Sequence, residues 1–158
     1  MRLLEALEGT WEGDGLGCYP TIESFSYHEV VTFAAEGRPF LSYMQRTWAT
    51  DGRPLHTESG YLRFPTPGWV EWCLAQPTGI VEVLEGELQT EERSEDAASG
   101  VLAVRLRSVV VGITSSAKSV TATERRLRVV GDELRVELHM EAVGQPMTLH
   151  LSSVLRRT

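Results

Sequence analysis

The clearest pattern in the chain has a period of two residues. Leu134, Val136, Leu138, Met140 and Ala142 alternate with Arg135, Glu137, His139 and Glu141. That spacing predicts a β-strand with one face buried and the other wet. Helical spacing is confined to Leu3, Leu4 and Leu7, enough for one short N-terminal turn. The other apolar segments are rich in β-branched and aromatic residues and are cut by turn residues. They predict strands over Thr10–Gly17, Ile22–Ala35, Phe40–Ala49, Leu55–Phe64, Trp69–Ala75, Ile80–Glu85, Glu87–Arg93, Val101–Val111, Ser119–Val130 and Glu133–Val143, with Met147–Arg156 as a last addition. The turns between them are Glu36-Gly37-Arg38-Pro39, Asp51-Gly52-Arg53-Pro54, Pro65-Thr66-Pro67-Gly68, Gln76-Pro77-Thr78-Gly79, Val130-Gly131-Asp132 and Gly144-Gln145-Pro146, and Ser94 to Gly100 reads as a polar loop.

Many consecutive strands with short turns predict an up-and-down antiparallel meander. A long meander has two vulnerable edges, and closure into a barrel removes both. The expected fold is all-β: a closed ten-stranded antiparallel barrel with a short N-terminal helical turn, forming one domain over residues 1–158. A barrel of about ten strands is too wide for side chains alone to fill, so a cavity is expected.

Composition narrows the function. The formal net charge of -7 disfavours nucleic-acid binding, which needs a basic surface. No apolar run is long enough for a membrane span, and Glu5 and Glu8 make the first residues too acidic for a signal peptide, so a cytoplasmic protein is the default expectation. Cys18 and Cys73 are two cysteines without a C-x-x-C spacing and read as reduced thiols, not as a disulfide framework or zinc site.

Three features bear on chemistry. Gly9-Thr10-Trp11-Glu12-Gly13-Asp14-Gly15 reads G-x-W-x-G-x-G: a kinked first strand in which Gly9, Gly13 and Gly15 permit close approach and Trp11 plugs one barrel end. Tyr19-Pro20 forces an extended or turn conformation and brings Thr21 to a strand entrance, where its hydroxyl could meet a ligand or simply stabilise the turn. Of the histidines His28, His56, His139 and His150, none forms H-x-H or H-x-x-x-H, so a multi-histidine metal site has little support. A single imidazole such as His150 can still hold haem iron, though a structural histidine fits the same pattern. No nucleophile elbow, P-loop or dinucleotide fingerprint occurs.

Several segments together resemble the nitrobindin family. They are the G-x-W-x-G-x-G from Gly9; Tyr19-Pro20-Thr21-Ile22 with Phe25 and Tyr27; Gly37-Arg38-Pro39; the run from Pro54 to Arg63 with His56, Glu58 and Gly60; the run from Pro77 to Gly86; and Gln145-Pro146-Met147-Thr148 with His150 and Leu151. They keep their order over nearly the whole chain. The resemblance implies one haem b near the barrel mouth, ferric at rest, with His150 as axial ligand and Thr21 and Lys118 touching the haem. It also implies isomerisation of peroxynitrite to nitrate. A nitric-oxide-binding haem carrier or sensor, and a lipocalin-like carrier of an apolar ligand, are the competing readings.

One conflict stands in the last strand. Strict alternation places Met147, Leu149, Leu151 and Leu155 on one face and Thr148, His150 and Ser152 on the other, which would aim His150 outward. For His150 to face a cavity, the leucines would need cover from outside, by a loop, the N-terminal segment or a second copy in a homodimer.

Overall fold

The structure is a computed structural model and describes residues 2–91 and 100–158. One short helix, α1 (Arg2–Leu7), precedes β1 (Gly9–Tyr19), β2 (Ile22–Ala34), β3 (Phe40–Ala49), β4 (Pro54–Arg63), β5 (Trp69–Gln76), β6 (Ile80–Glu91), β7 (Val101–Ile113), β8 (Val120–Val130), β9 (Glu133–Ala142) and β10 (Thr148–Arg157). Each strand pairs antiparallel with its sequence neighbours, and β1 pairs with β10 to close the barrel. The closed ten-stranded meander expected from the alternation is therefore what forms.

The turn chemistry holds in detail. Arg38 N donates to Ala35 O at 2.9 Å, Gly52 N to Ala49 O at 2.9 Å and Gln145 N to Ala142 O at 2.8 Å. One expected break is absent: Ile80–Glu85 and Glu87–Arg93 are a single strand as far as Glu91. Gly86 does not interrupt it. A Cβ there would lie 2.0 Å from Arg105 O, so glycine allows the neighbouring backbone to pass close while the ladder continues. Residues 92–99, including most of the polar loop expected from Ser94 to Gly100, lie outside the described residues.

The interior divides into two halves. At the α1 end, Leu3, Leu7, Trp11, Phe33, Leu41, Leu62, Trp72, Leu106 and Leu155 form a dry core. Trp11 Nε1 donates to Leu7 O at 2.8 Å, and Arg157 stacks on the Trp11 ring at 4.1 Å while bonding Ala6 O, so helix and last strand lock the plug together. The other half, towards Tyr19, is hollow. No helix among the described residues is long and apolar enough to cross a membrane.

Candidate functional site

The hollow half is a cavity of about 610 Å³. Ile22, Phe25, Ile80, Val120, Leu138 and Met140 supply apolar wall. His150, Thr21 and Lys118 line the same cavity, with the last two exposed at its mouth.

His150 reaches the cavity because β10 is bulged. Against β9, Leu149 pairs with His139 and Leu151 with Leu138, so His150 is an extra residue in the ladder. A bulge breaks the period of two, and here it brings His150 and Leu151 to the cavity together. The strict alternation expected for this strand is thus wrong at its first turn. Two of the leucines need no outside cover: Leu155 is fully buried in the core and Leu151 lines the cavity, while Met147 stays exposed. A second bulge answers the first. The β1–β2 register shifts between Gly17 and Tyr19, with the extra residue on β2, and beside that shift the Cys18 carbonyl accepts His150 Nδ1–H at 3.0 Å.

That bond fixes the tautomer, with the proton on Nδ1 and the lone pair on Nε2, which has no hydrogen-bond partner among the described residues. Tyr19 stands edge-on to the imidazole at 5.6 Å and is itself pinned by Met140 O at 3.0 Å and Ala142 N at 3.1 Å. Burial pushes the His150 pKa down; the Cys18 bond opposes this, and His56 and Lys118 reinforce it. His150 is a neutral, oriented imidazole, the state needed to donate to a metal.

The other motif residues are divided. Gly9 and Trp11 belong to the plugged end. Gly15 lies under the Tyr27 ring, and Gly13 lies against the β10 backbone, where a Cβ would meet Val154 O at 2.2 Å. His28 is on the outer surface between Glu12 at 2.7 Å and Asp14 at 3.0 Å, and His139 is half-buried beside Glu137. His56 does line the cavity, its Nε2 3.5 Å from Glu58.

Sequence reasoning missed the cavity floor. Arg125 spans two buried carboxylates, with Nη1 to Glu58 Oε1 at 2.6 Å and Nη2 to Glu58 Oε2 at 3.0 Å and to Glu82 Oε2 at 2.6 Å. Tyr43 donates to Glu58, and Thr123 and Gln76 donate to Glu82. Burial alone would raise the Glu58 carboxyl, but the Arg125 charge and the His56 and Arg125 hydrogen bonds outweigh it and hold it down at about 2. This layer separates the cavity from the dry core. It also occupies the one fully buried cation among the described residues, so no free guanidinium awaits a fatty carboxylate.

The model of the THAP4-like, heme-binding beta-barrel domain matches residues 1–157. The chain belongs to this family. Among its relatives is "Peroxynitrite isomerase" of Nocardia farcinica, 52% identical over 155 residues that cover 98% of this chain and 88% of the relative. "Peroxynitrite isomerase 1" of Mycolicibacterium paratuberculosis is 48% identical over 158 residues, covering 99% and 94%. The crystal structure of Rv2717c from M. tuberculosis matches with a TM-score of 0.90 and 44% identity, over 99% of this chain and 96% of that one. The nitrobindin resemblance read from the motifs is borne out. The residues present fit the family's haem: an apolar cleft, an oriented neutral imidazole with a free nitrogen, and a hydroxyl and an ammonium at the rim.

Proposed function

We propose that this chain is a haem-dependent peroxynitrite isomerase, carrying one haem b, ferric at rest, on His150 Nε2 within a single domain spanning residues 1–158. The observation that carries the reading is the His150–Cys18 bond: it leaves one nitrogen lone pair free at the wall of an apolar cavity. The names of the full-length relatives supply the reaction. When bound, the haem iron supplies the electron-accepting centre at which the O–O bond of peroxynitrite is weakened.

The chain's own groups do the rest. Cys18 O and Tyr19 hold the imidazole plane. Thr21 and Lys118 would hold the haem carboxylates at the mouth, where an ammonium and a hydroxyl can bind them. The apolar walls exclude water and confine reacting fragments until they recombine as nitrate. No acid–base pair is required, because the isomerisation has no net proton change.

The test is stopped-flow decay of peroxynitrite with ferric haem-loaded protein, haem-free protein and His150→Ala. Decay should rise linearly with the loaded wild type and stay near background for the other two. Equal rates with loaded and haem-free protein would reject the enzyme and leave a nitric-oxide-binding haem carrier.

A further inference from the structure

Three tyrosines line the cavity, Tyr19, Tyr27 and Tyr43. Two of their hydroxyls are committed. Tyr19 bonds the β9 backbone at Met140 and Ala142, and Tyr43 donates to Glu58 at 2.9 Å. Tyr27 Oη has no hydrogen-bond partner among the described residues, although the residue is only 3% exposed. It is not among the buried unpartnered atoms either, so it opens onto the cavity.

The donors of the cavity floor are engaged in the same way. Arg125 is shared between Glu58 and Glu82, and Thr123 is held by Glu82. Lys118 and Thr21 stand at the mouth, away from the floor.

The Tyr27 ring is rigidly placed. It lies across Gly15, where a Cβ would come within 2.3 Å of its Cζ and 2.5 Å of its Oη, so the glycine is the seat of the ring. Phe25 packs beside it at 6.0 Å. Behind it stand Ser153 of β10 and Glu29 two residues along β2. Glu29 is 2% exposed and has no cation; its Oε1 accepts from Gln45 Nε2 at 3.1 Å while Oε2 has no partner. Glu58 of β4 and Arg125 of β8 complete the charged surroundings.

We infer that Tyr27 is the hydrogen-bond donor of the cavity, a further catalytic residue that offers its phenolic proton to the anionic oxygen of a small oxyanion held there. This rests on the functional reading above and adds an uncommitted wall group that answers the substrate's charge. The proton stays on the phenol or returns to it when nitrate leaves, so the balance of the isomerisation is untouched. Burial, with Glu29 and Glu58 adding to it, pushes the phenol pKa well up, and the nearby Ser153 hydroxyl offsets this only in part. The phenol therefore keeps its proton at every pH the enzyme meets. An uncommitted donor in a preformed apolar site strengthens as charge concentrates on the acceptor.

The experiment compares haem-loaded wild type and Tyr27→Phe, with azide and fluoride as probes. Phenylalanine keeps the ring over Gly15, so haem affinity and the Soret band should be unchanged. Azide affinity should fall roughly tenfold, the usual scale for a hydrogen bond to a charged acceptor. The fluoride charge-transfer band should move, as it does when a donor to the bound fluoride is lost, and peroxynitrite decay should slow in parallel. Tyr43→Phe, which removes a committed phenol, should leave the fluoride band in place. Equal azide affinity and an identical fluoride band in wild type and Tyr27→Phe would overturn the role while leaving the isomerase reading intact. A wild type that holds haem but binds neither anion would overturn both.

Discussion

Arg125→Met removes the guanidinium from Glu58 and Glu82 and leaves both carboxylates buried. A Glu58 carboxyl held at about 2 against an ordinary 4.5 corresponds to about 3 kcal/mol of stability at pH 7, at about 1.4 kcal/mol per pH unit. Because the folded value is depressed, this contribution is complete above 4.5 and is lost as pH falls through about 2. Stranding one partner of a buried pair costs about 3–5 kcal/mol, so Arg125→Met should lose about that much at pH 7. The stranded carboxylates of the variant gain protons readily, whereas those of the wild type resist. At pH 3.5 the gap between the two proteins should therefore be narrower by at least about 1 kcal/mol. Glu29 works with the opposite sign: burial raises its pKa, so its contribution is complete below 4.5 and fades as pH rises through the raised value. Glu124 is also held at about 2, by Arg105, Arg126 and Arg107 against its own burial, but those arginines face solvent and screening discounts the effect. Glu124 acts on the two curves alike, whereas Glu29 loses the lowering charge of Arg125 in the variant, so its carboxyl rises further there and adds to the narrowing at pH 3.5. Urea unfolding of haem-free protein at pH 7 and 3.5 gives the comparison. Parallel stability curves would refute the ion-pair accounting, as would failure of Arg125→Met/Glu58→Gln/Glu82→Gln to recover most of the loss.

Three further outcomes are expected. His150→Ala should abolish or greatly weaken haem binding in a Soret titration while circular dichroism keeps its β-sheet signature. Thr21→Ala with Lys118→Ala should speed haem dissociation less than about tenfold and less still at high salt, since contacts at an exposed rim are screened; an unchanged dissociation rate removes both from the site. Val143→Gly should raise stability by about 1 kcal/mol in thermal melts, because a β-branched residue is held at φ 46° with 42% of its surface exposed and little packing to lose.

The barrel was legible because its evidence is repeated: every strand shows some alternation, and glycine, proline and aspartate mark nearly every turn. Gly86 misled because a glycine within a strand and a glycine at a break look alike until the partner backbone is in place. His150 is a different case. Its pattern pointed away from the cavity, and only the motif resemblance favoured it. The reason is the bulge at His150, a single inserted residue that alternation cannot register. The bulge that hides the histidine from the pattern is where its Nδ1 meets the Cys18 carbonyl.

The cavity floor was illegible for a different reason, since charged residues in strands ordinarily read as solvated. Yet the inward sets are regular: Tyr27, Glu29, Val31 and Phe33 on β2; Glu58 and Leu62 on β4; Glu82 and Leu84 on β6; Thr123, Arg125 and Leu127 on β8. In each of these strands an ionic residue precedes the apolar ones on the same face. These four run in the same direction, so the ionic positions meet at one level of the barrel, and they carry carboxylates on three strands and a guanidinium on the fourth. A charge at an inward position on one strand is noise. The same offset on alternate strands of an antiparallel barrel is a layer, and in this chain it divides a packed plug from a reaction chamber. Two of the three carboxylates share one guanidinium there, and the third, Glu29, stands without a cation beside the phenol that is free to donate.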